Sequence, residues 1–118
     1  MLDGRLFVAK LEKCVKGEFS NILSKIEDGI LGGSLSVSLE DSSDFILGDS
    51  KCSVRVFERY SATGSNRVSL SVTLFQNKDS DIYISAISSG GSKGMFFKIN
   101  TLGEGAFLDK LEEIIYDL

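Results

Sequence analysis

A chain of 118 residues with 42% hydrophobic and 25% charged residues has the length of one domain and enough apolar mass for a core. Thirteen lysines and arginines against seventeen aspartates and glutamates leave a net charge of −4, so there is no overall basic excess to neutralise phosphates and no nucleic-acid partner is expected. No apolar run approaches the roughly 20 residues of a membrane span, and Met1-Leu2-Asp3-Gly4-Arg5 is too short and polar for a secretion signal; a cytoplasmic setting without a membrane partner is expected.

In chain order, Leu6-Phe7-Val8-Ala9 reads as a first strand. Phe19, Ile22, Leu23, Ile26 and Ile30 then recur at helical spacing between Glu18, Lys25, Glu27 and Asp28. This predicts a helix from Val15 to Leu31, stopped by Gly32-Gly33. From Ser34 the period becomes two, with Leu35, Val37 and Leu39 alternating with serines. Asp41 to Ser50 reads as a polar loop around a short edge strand, Phe45-Ile46-Leu47. Four more strands follow over Cys52–Tyr60, Arg67–Gln76, Asp81–Ser88 and Gly94–Asn100, joined by short turns that make neighbours antiparallel. Phe107, Leu108, Leu111, Ile114, Ile115 and Leu118 form one face of a C-terminal helix.

The expected fold is a single α+β domain over 1–118. Its order is strand, helix, an antiparallel meander of about five strands, helix, with both helices on one face of a curved sheet. That order is similar to the TATA-binding-protein-like and helix-grip folds, an analogy that does not fix a function.

A provisional register with Glu58 opposite Leu70 and Val56 opposite Val72 sorts the side chains by face. One face collects Val54, Val56, Val68, Leu70, Val72, Leu74, Ile82, Ile84, Ala86, Met95, Phe97 and Ile99, and requires the helices as cover. The other is rich in hydroxyls and carries Arg55, Phe57, Arg59, Phe75, Tyr83, Ile87 and Phe96, with Ile87 and Phe96 as cross-strand neighbours near Arg59. A contiguous patch of this kind marks a partner surface.

Candidate chemistry is sparse. Glu58 is the one charge on the apolar phase, either a carboxylate lining a pocket or a strand-end group paired with Arg67, and the pairing is favoured. Gly90-Gly91-Ser92-Lys93-Gly94 has the composition of an anion cradle without the spacing of a phosphate loop, and a hairpin turn explains it. With no histidine, the commonest general base and transition-metal ligand are missing. Cys14 and Cys52 do not make a zinc site; a single bridge between them fits the spacing, while the phase of Cys52 favours a buried free thiol. No enzyme activity, metal or cofactor is expected.

Phe57-Glu58-Arg59-Tyr60, the Ser65-Asn66-Arg67 turn with Val68 to Phe75, and the glycine-rich turn leading to Phe96-Phe97-Lys98-Ile99-Asn100 resemble an uncharacterised family of small bacterial proteins. That family is a domain of unknown function found mainly in Gram-positive bacteria. The resemblance implies a bacterial cytoplasmic protein and carries over no reaction or ligand. The leading functional expectation is a non-enzymatic interaction module that works as a homodimer through its sheet. The alternative is a carrier of a small apolar ligand held between sheet and C-terminal helix, with Glu58 or Arg67 at the mouth. The candidate ligand or interface residues are Phe57, Glu58, Arg59, Arg67, Tyr83, Ile87, Lys93 and Phe96.

Overall fold

The computed structural model describes residues 8–33, 36–60, 67–90 and 104–118. The order of elements is β1 (Val8–Val15), α1 (Phe19–Gly32), β2 (Val37–Leu47), β3 (Ser50–Tyr60), β4 (Arg67–Asn77), β5 (Ile82–Gly90) and α2 (Glu104–Tyr116). The strands form one five-stranded antiparallel sheet in the order β1-β5-β4-β3-β2. The chain is α+β, as the alternation of sequence periods predicts. The predicted strand Gly94–Asn100 lies outside the described residues.

β2 to β5 are a meander, and α1 carries the chain from β1 at one edge to β2 at the other. The first strand is longer than expected, and α1 starts four residues later than the apolar spacing suggests. Gly17 causes both differences. Its φ of +145° breaks the run, and a Cβ there would meet the Ile22 side chain at 3.1 Å. Glu18 then caps the helix, accepting from the backbone amides of Asn21 (2.8 Å) and Ser20 (3.1 Å). Those two amide bonds, Asn21 first, hold the Glu18 carboxyl below its usual range.

Phe19, Ile22, Ile26 and Ile30 of α1 and Phe107, Leu108, Leu111 and Ile115 of α2 are buried against Val68, Leu70, Val72, Leu74, Ile82, Ile84 and Ala86. Each of the valine, leucine, isoleucine and phenylalanine side chains among them contributes about 1.5–3 kcal/mol of transfer free energy. Both amphipathic helices thus cover one face of the sheet, as the apolar phase of β4 and β5 requires. The helices also meet each other closely: Gly29 leaves a notch in α1 that Ile114 enters, and a Cβ at Gly29 would lie 2.7 Å from that side chain. Lys13 of β1 pins α2 by an ion pair to Glu112 at 3.1 Å. Neither described helix is long and apolar enough to cross a membrane.

The register of β3 differs from the expected one. Phe57 opposes Leu70, Arg55 opposes Val72 and Ser53 opposes Leu74. A slip of one residue turns every side chain of a strand over, so Ser53, Arg55, Phe57 and Arg59 face the helices, and Val54, Val56 and Glu58 face away. The inward phase wins because it buries one large ring and closes a charged network. The Arg55 guanidinium donates to Glu27 of α1 at 2.5 Å and to Asp44 of β2 at 2.9 Å, while the Ser53 hydroxyl donates to Asp44 at 2.6 Å. Between β4 and β5 the register is off by two residues (Leu74 opposes Ile84), and an even slip leaves the faces unchanged.

β2 is a single strand where a polar loop was expected. It runs through Glu40-Asp41-Ser42-Ser43-Asp44 with a bulge between Leu39 and Asp41. An edge strand needs no apolar phase, and acidic residues with a bulge discourage unwanted edge pairing.

Candidate functional site: the outer face of the sheet

The face turned away from the helices is assembled by the register. Phe45 opposes Cys52, Cys52 opposes Phe75, Phe75 opposes Tyr83 and Tyr83 opposes Cys14. One residue from every strand therefore stands in a single row across the sheet, about 19 Å long at ~4.8 Å per strand. No described element covers it: Phe45 is 61% exposed, Phe75 43% and Tyr83 55%. The next row is Ser43, Val54, Thr73, Ser85 and Glu12, and the one beyond it is Asp41, Val56, Ser71, Ile87 and Lys10.

The face is not flat. A depression of about 430 Å³ opens toward the β1 side, lined by Glu12, Cys14, Thr73, Phe75, Tyr83 and Ser85. At the opposite end of the same row Phe45 projects, followed by Leu47 at 83% exposure. Hydroxyls of Ser43, Thr73 and Ser85 flank the row and leave the surface wettable; the aromatic rings supply area with few rotors to freeze.

At the far end of β3 and β4, Arg67 pairs with Glu58 through both Nε and Nη2, and its guanidinium carbon lies 5.5 Å from the centre of the Tyr60 ring. The Glu58 hydrogen bond, then its charge, raises the Arg67 pKa further. The pair is a closed unit on the outer face, away from the sheet–helix interface. Neither residue stands at the mouth of a cavity between sheet and α2, and that expectation of the carrier reading is corrected.

Of the other expected site residues, Tyr83 and Ile87 lie on the outer face and are exposed. Phe57 does not: it is fully buried beneath the helices, opposite Leu70. Arg59 is on the helix side as well, opposite Val68, so the β3 register overturns the expected placing of Phe57 on the outer face and of Arg59 beside Ile87. Lys93 and Phe96, and with them the Ile87–Phe96 pairing, lie outside the described residues. Phe75 stands on the outer face as its strand phase predicts, and Phe45, Cys14 and Cys52 complete the row without being among the expected site residues. The signal for Phe45 and Phe75 was their strand phase; the two cysteines carried none.

The helix side holds the other charged cluster. Desolvation lowers the pKa of the Arg55 guanidinium, but the bonds to Glu27 and Asp44 more than offset it and leave it raised. The Ser53 hydroxyl, then Arg55, holds the Asp44 carboxyl below its usual range. All these groups satisfy one another, and the arrangement ties α1, β2 and β3 together.

Cys14 and Cys52 share the outer row but are separated by β5 and β4, three strand spacings or about 14 Å. A disulfide requires Cα atoms within ~7 Å, so no bridge forms between them in the folded chain, and Cys52 faces outward instead of into the core. Both thiols of the native protein are expected to react with a disulfide reagent, the exposed Cys14 faster than the half-buried Cys52. An intramolecular Cys14–Cys52 bridge in the folded protein, seen by non-reducing mass spectrometry, would contradict the register.

A model of one protein family matches residues 8–118, across every element described above. The chain belongs to the family of unknown function DUF6054. The resemblance read from the C-terminal half thus holds at the level of a family of unknown function and reaches back to β1. No curated protein matches the sequence of this DUF6054 member. Among solved structures, the Saccharomyces cerevisiae Ran-binding protein Mog1p is similar over 92% of this chain at 11% identity, with a TM-score of 0.48. The chain spans 63% of the length of that structure.

Proposed function

We propose that this DUF6054 chain is a non-enzymatic interaction module that self-associates through the outer face of its sheet, in the bacterial cytoplasmic setting implied by the resemblance. The observation that carries the reading is the uncovered row of Phe45, Cys52, Phe75, Tyr83 and Cys14, with Val54, Val56 and Ile87 in the rows beside it. Contiguous apolar surface framed by hydroxyls is the composition of an interface core and rim. The titratable groups of the sheet support a binding role over a chemical one, because Glu58 is consumed by Arg67 and the Arg55 cluster is closed on itself.

Sedimentation velocity over a wide concentration range tests this reading. The expected result is a monomer–dimer equilibrium that Tyr83→Asp or Phe75→Asp shifts to monomer with the far-ultraviolet circular dichroism unchanged. A chain that stays monomeric at the highest attainable concentration removes the proposal.

A further inference from the structure

The outer face has a protrusion and a depression in one row, on opposite sides of its central strand. Phe45 projects on β2, and the hollow bounded by Cys14, Thr73, Phe75 and Tyr83 opens between β4 and β1. β4 is the middle strand of the five. A two-fold axis running along β4, parallel to the strands and just outside the face, lays β2 of one copy over β1 of the other and β3 over β5. Rows keep their level under this rotation. Phe45 of each copy then stands over the hollow of its partner, and Phe75 meets Phe75.

We infer that two copies pack face to face about a two-fold axis along β4, with Phe45 seated in the hollow beside the partner subunit's Cys14 and with Lys10 facing the partner subunit's Asp41. This inference rests on the self-association proposed above and specifies its geometry. Three observations favour a second copy as the occupant.

The first is charge. Asp41, Val56, Ser71, Ile87 and Lys10 form one row with an anion at one end and a cation at the other. The same rotation brings each end onto its opposite and places Val56 over Ile87. A two-fold axis across the strands keeps β1 over β1 and β2 over β2, so it cannot match Lys10 with Asp41. Arg67, at the end of the axial strand, is the cation carried closest to its own copy, and it is already neutralised by Glu58. Glu12, 3.9 Å from Lys10, is brought opposite Ser43, one row from the partner subunit's Asp41, and the Lys10 ammonium stands between the two carboxylates.

The second observation is shape. A twisted sheet is a saddle, and a two-fold axis along one of its strands generates a surface parallel to the first, so the gap between the copies stays even. The third is area. Five strands at ~4.8 Å and eight positions at ~3.4 Å make a face of roughly 650 Å². Two such faces bury about 1,300 Å² together, within the range of stable specific interfaces.

The test uses charge reversal in the full chain, with sedimentation equilibrium as the readout and circular dichroism to verify folding. Lys10→Glu alone places two carboxylates against each other twice per dimer, and Asp41→Lys alone does the same with two ammonium groups; each is expected to weaken self-association about tenfold or more. An equimolar mixture of the two variants restores opposite charges at both contacts, and its heterodimer is expected to regain an affinity within about threefold of the unaltered chain. Single variants that associate as tightly as the unaltered chain, or a mixture no tighter than either alone, overturn this arrangement while the chain's self-association stands. An unaltered chain that never self-associates overturns the parent reading and this one together.

Discussion

Phe57→Ala is expected to destabilise the domain by about 3–5 kcal/mol, the range for deleting a buried phenylalanine side chain. Val56→Ala, one residue earlier, is expected to cost ~1 kcal/mol or less when measured at a concentration where the chain is monomeric. Phe57 is fully buried in the core cluster opposite Leu70 of β4, and its removal leaves a void in that packing. Val56 faces outward beside Ser71 and Asp41 and loses only part of its packing. Equilibrium urea unfolding of the two variants distinguishes the registers directly. If Val56→Ala were the costly change, β3 would have to be turned over, and the outer row would lose Cys52 as the link between Phe45 and Phe75.

The second large effect concerns Arg55. Its side chain is 10% exposed, whereas Glu27 and Asp44 are 27% and 59% exposed. The cost of breaking the cluster is therefore asymmetric. Removing both carboxylates, in Glu27→Ala/Asp44→Ala, strands a guanidinium in the interior and is expected to cost about 2–3 kcal/mol, below the ~3–5 of a fully buried pair because the partners are partly hydrated. Arg55→Met leaves two carboxylates that turn to water and an apolar stem that still packs, and is expected to change stability by less than about 1 kcal/mol.

The pH dependence has a definite sign. Asp44 has a folded-state pKa below its unfolded value, so its contribution is complete above the ordinary carboxylate range near pH ~4 and is lost as pH falls through the lower folded value. Glu18, held down by the Asn21 and Ser20 amides, behaves in the same direction. Acid titration of the unaltered chain should show stability falling below pH ~4, and Arg55→Met should flatten part of that fall. Equal acid sensitivity in both proteins would mean that Arg55 does not couple Asp44 to folding, leaving the Ser53 hydroxyl as the group that holds the carboxylate.

Much of the fold was legible because α1, α2, β4 and β5 each carry one unambiguous period. Val68, Leu70, Val72 and Leu74 have hydroxyls between them, and only one phase of β4 can be buried. β3 offers two plausible phases: Val54 and Val56 on one, Phe57 on the other. The choice depends on Arg55 finding Glu27 on α1 and Asp44 on β2, which are distant in sequence and carry no local signal. β2 conceals its strand for a different reason. At the sheet's edge its polar stretch from Glu40 to Asp44 is stabilised by pairing to β3 alone, so alternation was never demanded of it. The site was legible in proportion. Tyr83 and Ile87 follow from the phase of β5, but the row joining them to Cys14 depends on β1 pairing with β5.

That pairing also orders events in time. β2 to β5 each pair with their neighbour in sequence and can zip locally, whereas Val8–Val15 must find Ile82–Gly90 across all the intervening strands. On the ribosome β1 is thus made well before the strand it pairs with, and Leu11 and Val15 stay uncovered on that side until β5 has emerged. Until β1 is seated, β5 lacks its β1 partner, and the hollow bounded by Cys14 has no outer wall. A chain at that stage has the protruding Phe45 but no receptacle, so the two-fold geometry is withheld until each copy has finished its own sheet.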